Sequence, residues 1–148
     1  MVLGVKLRRE CAILIAEDDP DDCLILETAF RTAGVSNPLT FVGDGEELMH
    51  YLKGDGHSDT SSSPILLILD LNMPKKDGRS ALREIRQDPL LHSLPIVVFT
   101  TSSAEQDIEY CRTLGVSNYV TKPSDFDGFI QFARDMRKIC QEDERAAP

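Results

Sequence analysis

Five times along the chain, a short apolar run is followed by a stretch whose apolar residues recur every three or four positions, and no other feature constrains the fold as strongly. Residues 11–16 read as a strand buried on both faces. Residues 20–33 place Cys23, Leu26, Phe30 and Ala33 on one helical face; Pro20 suits the first turn and Gly34 ends it. A second strand is expected at 39–42, and a second helix at 46–53 with Leu48 and Leu52 four apart. Residues 54–64 are rich in Gly, Ser, Asp and Thr, the composition of a long surface loop. A strongly apolar strand at 65–69 ends on Asp70, and a helix at 78–87 turns Ala81, Leu82 and Ile85 inward. Pro95 opens a fourth strand at 96–99. The helix at 104–114 is expected to bury Ile108, Cys111 and Leu114 and to stop at Gly115. A fifth strand occupies 116–121, and the last helix starts near Ser124 or Asp125 and presents Phe129, Ala133, Met136 and Cys140.

Strands alternating with helices give an α/β fold, (βα)5, with a doubly wound parallel sheet and right-handed crossovers. In such sheets chemistry gathers beyond the carboxyl ends of the strands, at the topological switch point. The residues to inspect therefore follow strands one, three, four and five. The 148 residues fit one domain with a sizeable core, about 11–140, and flexible ends at 1–10 and 141–148. The net charge of −9 argues against direct binding to nucleic acid or to an anionic membrane. No apolar run reaches the ~20 residues of a membrane helix, and nothing at the start reads as a signal peptide. Four scattered cysteines without a CxxC pair read as buried thiols in a reducing compartment, which suggests a cytoplasmic protein.

After the first strand come Glu17, Asp18 and Asp19, with Asp21 and Asp22 nearby; after the third, Asp70, Leu71, Asn72, Met73 and Pro74; after the fourth, Thr100 to Ser103; after the fifth, Lys122 and Pro123. Clustered carboxylates repel one another and call for a cation. Oxygen donors without His or Cys suit a hard ion, Mg²⁺ or Mn²⁺, and the spacing of an EF-hand is absent. Acidic residues after a strand also serve as helix caps and first-turn residues, which is the plainer reading of Asp19, Asp21 and Asp22.

These residues resemble the response-regulator receiver family over about 12–140. The resemblance rests on Glu17-Asp18, on the run from Asp70 to Gly78, on Phe99-Thr100-Thr101-Ser102, and on Tyr119-Val120-Thr121-Lys122-Pro123. It implies a flavodoxin-like strand order of 2-1-3-4-5. It implies that Asp70 accepts a phosphoryl group from a phosphohistidine of a sensor histidine kinase, with Mg²⁺ or Mn²⁺ held by Glu17, Asp18, Asp70 and the backbone carbonyl of Asn72. Thr100, Thr101 and Lys122 would contact the phosphoryl group, Thr100 and Tyr119 would form the switch, and the Lys122–Pro123 bond would be cis. Asn72 and Ser102 sit where the family tunes the lifetime of the acyl phosphate. Residues 70–78, the Arg-rich helix after them and residues 94–108 look most like small receivers that partner phytochrome-type kinases.

The chain ends soon after its last helix, so output is expected through protein contact at the fourth helix, fifth strand and fifth helix. Glu105, Asp107 and Glu109 on the one helix face Arg134, Arg137 and Lys138 on the other, charges that suit a homodimer; solvated helix faces would look the same. A haloacid-dehalogenase-type phosphatase would need a second Asp where Asn72 stands, and so no enzyme activity is expected beyond self-catalysed phosphoryl transfer and autodephosphorylation. A flavodoxin-like cofactor binder would need a phosphate-cradling loop where Glu17-Asp18-Asp19 stand.

Overall fold

The computed structural model describes residues 12–54 and 64–146, with side chains up to Gln141. Residues 1–10, Cys11 and nearly all of the expected 54–64 loop lie outside the described residues. Among the described residues, five strands, β1 (Ile13–Ala16), β2 (Leu39–Val42), β3 (Leu66–Leu69), β4 (Ile96–Thr100) and β5 (Asn118–Thr121), alternate with five helices. The helices are α1 (Pro20–Thr32), α2 (Gly45–Leu52), α3 (Gly78–Gln87), α4 (Glu105–Thr113) and α5 (Phe126–Ala146). The sheet is parallel throughout, in the order β2-β1-β3-β4-β5.

Strand side chains alternate between the two faces. Ile13, Ile15, Leu66, Ile68, Val97 and Phe99 meet Leu26, Phe30, Phe132 and Met136 of α1 and α5. Leu14, Ala16, Leu67, Leu69 and Val98 meet Leu48, Leu82, Ile85 and Cys111 of α2, α3 and α4. All residues of β1, β3 and β4 are buried, as their unbroken apolar sequence implies. Each fully buried large side chain contributes about 1.5–3 kcal/mol. Phe99 joins the layers on the α1–α5 side, stacked on Phe132 with ring centroids 4.0 Å apart and edge-on to Phe129 at 5.5 Å.

Two expectations need correction. Ile108 was expected inward but is 36% exposed, while Cys111 is fully buried. A spacing of three residues falls ~60° short of a full turn, so a stripe 108-111-114 drifts around α4: Cys111 faces the sheet, Leu114 packs against the same core half-buried, and Ile108 is left at the surface. The expected frayed tail after Cys140 is in fact helical as far as Ala146. Gln141, Glu142, Glu144, Arg145 and Ala146 are good intrinsic helix formers and no breaker intervenes.

Candidate phosphoacceptor site

Strand register brings the carboxyl ends of the strands to one rim. Ala16 pairs with Leu69, Leu69 with Val98, and Thr100 with Thr121. Glu17, Asp70, Thr100 and Lys122 therefore all reach the same edge. Asp70 is 5% exposed and Glu17 3%, whereas Asp18 is exposed.

Lys122 is the cation of this rim. Its Nζ lies 2.7 Å from Glu17 Oε1, 2.8 Å from Asp22 Oδ2 and 3.0 Å from Asp70 Oδ2. Against the cost of burial, these hydrogen bonds and the Asp70 charge raise the pKa of Lys122 and hold it protonated. Burial raises the Glu17 carboxyl, against hydrogen bonds from Lys122 and from the Asp19 N–H. The other oxygen of Asp70, Oδ1, accepts the Asn72 N–H at 3.1 Å. The Cys23 thiol, 3.5 Å from the Glu17 carbonyl oxygen, is pushed up to about 11 by burial and by Glu17, Asp19 and Asp22, which leaves it inert.

One lysine faces three carboxylates, and Asp18 adds a fourth. Carboxylate oxygens of Glu17, Asp18 and Asp70 lie within 4.8 Å of one another. An oxygen-only set with excess negative charge fits a hard divalent cation. Asp19 does not join the set: it caps α1, accepting the Asp21 N–H at 2.9 Å.

The expected phosphate and switch residues lie on the β4 and β5 sides. Thr100 is fully buried and Thr101 exposed. The Tyr119 hydroxyl donates to the Ser102 carbonyl at 2.9 Å. Among the described residues no peptide bond is cis. Lys122 still points inward, since its own N–H donates to the Thr100 carbonyl at 2.7 Å and its ammonium is drawn to the carboxylates.

Two features escaped the sequence reading. Asp22, a first-turn residue of α1, also holds Lys122 across 100 positions of sequence. Arg79, at the start of α3, grips Asp107 of α4 with two hydrogen bonds of 2.7 Å. Arg79, and after it Ser102, lowers the Asp107 pKa to about 2. Periodicity carries no signal for either pair, because each joins side chains far apart in sequence.

The model of the response regulator receiver domain matches residues 13–134. The response regulator Rcp1 of Synechocystis sp. is 40% identical over 130 residues, 88% of each chain. The phosphorylated cyanobacterial phytochrome response regulator RcpA superposes with a TM-score of 0.80 at 36% identity, over 88% of this chain and 93% of that one. The Mn²⁺-bound form of response regulator Rcp1 gives 0.75 at 33%, over 86% and 91%. A buried Asp at the end of β3, an acidic pair after β1 and an inward Lys after β5, on a 2-1-3-4-5 sheet, thus recur in a chain that belongs to the response-regulator receiver family.

Proposed function

We propose that this chain is the phosphoacceptor of a two-component phosphorelay and that Asp70 takes the phosphoryl group. The observation that carries this is Asp70 itself: a buried carboxylate with one oxygen on the Asn72 N–H and the other on Lys122, beside two further carboxylates. A carboxylate so placed is a nucleophile held in position. An Asp70 oxygen forms the new bond to phosphorus, and the P–N bond of the donor phosphohistidine breaks with its electron pair left on the imidazole. The transfer asks for positioning and charge neutralisation rather than further covalent help. Lys122, already on Asp70, is in reach of a phosphoryl oxygen, and Thr100 and Thr101 supply hydroxyls from the next strand end.

Glu17, Asp18, Asp70 and the Asn72 carbonyl would hold Mg²⁺, or Mn²⁺. When bound, the ion offsets the negative charge of the carboxylates and of the incoming group. Thr100 and Tyr119 are the switch on this reading. Tyr119 is tethered to the loop after β4, so a shift of Thr100 reaches the outer surface of β5. The chain works as one receiver domain in the cytoplasm, without enzymatic turnover of a separate substrate. Likeness to RcpA and Rcp1 favours a phytochrome-type sensor kinase as donor.

Output through α4, β5 and α5, with a homodimer on that face, belongs to the same proposal, but its charge set is smaller than expected. Asp107 is committed to Arg79, and Arg137 lies against Gly34 beyond the end of α1. Glu105, Glu109, Arg134, Arg137 and Lys138 are exposed, with Glu109 already paired to Arg112.

Beryllofluoride with Mg²⁺ mimics a phosphorylated aspartate, and amide shifts in NMR follow its effect. Shifts at Thr100, Tyr119 and the last two helices, lost in Asp70→Asn, are expected. An unmoved wild-type spectrum with the cation still bound would mean a metal pocket without a switch.

A further inference from the structure

The first turn of α4 is capped in an unusual way. Ala104 occupies the N-cap and makes no side-chain hydrogen bond there. Asp107, three residues on, stands where a capping-box acid would reach back to its own N-cap. It turns to α3 instead. Arg79 Nε donates to Asp107 Oδ1 and Arg79 Nη2 to Oδ2, both at 2.7 Å, a bidentate fork. Oδ2 also accepts the Ser102 hydroxyl at 2.6 Å.

Ser102 is held at all three of its polar groups. Its N–H lies 3.5 Å from Thr100 Oγ1, its carbonyl accepts the Tyr119 hydroxyl at 2.9 Å, and its hydroxyl rests on Asp107. On the other side, Arg79 Nη1 lies 3.5 Å from the Leu71 carbonyl and from Asn72 Oδ1, while the Arg79 carbonyl accepts the Tyr110 hydroxyl at 3.2 Å. One carboxylate thus ties the segment after β4, with Thr100, to the segment after β3, with Asp70. The pair is partly shielded, with the Arg79 side chain 31% exposed and that of Asp107 15%.

We propose that Arg79 and Asp107 form a latch that holds the β4–α4 connection in the arrangement seen here, and that a phosphoryl-like group on Asp70 must release it. The proposal rests on the phosphoacceptor reading. If Thr100 moves toward Asp70, Ser102 is drawn with it, two residues along the same strand end. Its hydroxyl cannot follow while the fork fixes the Asp107 carboxylate. Contacts present in only one of two arrangements bias the equilibrium toward that one, and removing them favours the other. Arg79 and Asp107 are positioning residues: they act through Ser102. A purely structural pair would lower stability and leave the response at Asp70 unchanged.

The test is a beryllofluoride titration in excess Mg²⁺ of wild type, Asp107→Ala, Arg79→Gln, the double variant and Arg79→Lys. Tyrosine emission is the readout. The chain has three Tyr and no Trp; Tyr110 bonds to Arg79 of the latch, and Tyr119 to Ser102, through which the latch acts. Either single variant is expected to bind about tenfold tighter, the factor that about 1.4 kcal/mol represents. The double variant should gain nothing more. Ligand-free emission of the variants should move toward that of the saturated wild type. Arg79→Lys keeps the charge without the fork and should fall between. Urea unfolding of each variant separates lost stability from altered switching, and Arg79→Lys keeps the test alive should a stronger variant not fold. Affinity equal to or weaker than wild type in folded variants overturns the latch alone. A wild type without any response overturns the phosphoacceptor reading, and the latch with it.

Discussion

Gly78 opens α3, where alanine would ordinarily be the better helix former by about 1 kcal/mol. Here a Cβ would stand 2.2 Å from the Asp70 carbonyl oxygen and 2.7 Å from the Leu71 Cα. Sterics win over propensity, because both neighbours are backbone and cannot swing aside. Gly78→Ala is expected to lose about 1–3 kcal/mol in urea unfolding and to displace the loop that carries Asp70; wild-type stability would show that the loop yields freely. Gly45 is equally tight, 1.9 Å from the Lys76 carbonyl oxygen. At this scale the sequence was informative where residue type and strand end agreed, as for Glu17, Asp18, Asp70, Thr100 and Lys122. It was silent on Asp22, whose type fits a first turn equally well and whose partner is known only once α1 stands beside β5. Gly78 gave no warning either, since its approach to Asp70 depends on how the loop folds back.

Helices were read best where their apolar stripe follows a spacing of three and four, as at Ala81, Leu82 and Ile85, all fully buried. The narrow stripe of α4 misled, for the geometric reason given above. What holds α4 is partly polar, and this has a pH signature. The Asp107 carboxyl sits at about 2, below its ordinary 3.8, first because of Arg79 and then because of Ser102. Its folded-state pKa is depressed, so its contribution is complete above about pH 4 and is lost as pH falls through about 2. Chemical denaturation of wild type and Asp107→Asn should differ most at neutral pH and converge near pH 2. A gap that stays constant across that window would show that the Asp107 charge is not what stabilises the first turn of α4.

For the whole molecule, the three central strands were legible because burial on both faces leaves an unbroken apolar sequence. Their order was not, since periodicity says which residues face inward and nothing about which strand lies beside which; 2-1-3-4-5 came only with the resemblance. Assembly belongs to this scale too. Sedimentation velocity should show a dimer with beryllofluoride and Mg²⁺, weakened by Glu105→Lys and by raised salt, which screens exposed pairs. A monomer with and without the mimic removes the dimer from the proposal.

The α1–α5 side of the sheet also has a meaning in time. Phe30 of α1 meets Phe132 of α5 edge-on at 6.3 Å, and Phe132 stacks on Phe99 of β4. The earliest-made of the described helices therefore shares its core with the last of them. Until α5 has left the exit tunnel, Phe30 and Phe99 lack their cover, and the apolar face of α1 stays open to water or to a chaperone. Vectorial synthesis thus gives this domain little chance to fold in halves: its aromatic core closes only when α5 packs back on α1 and β4.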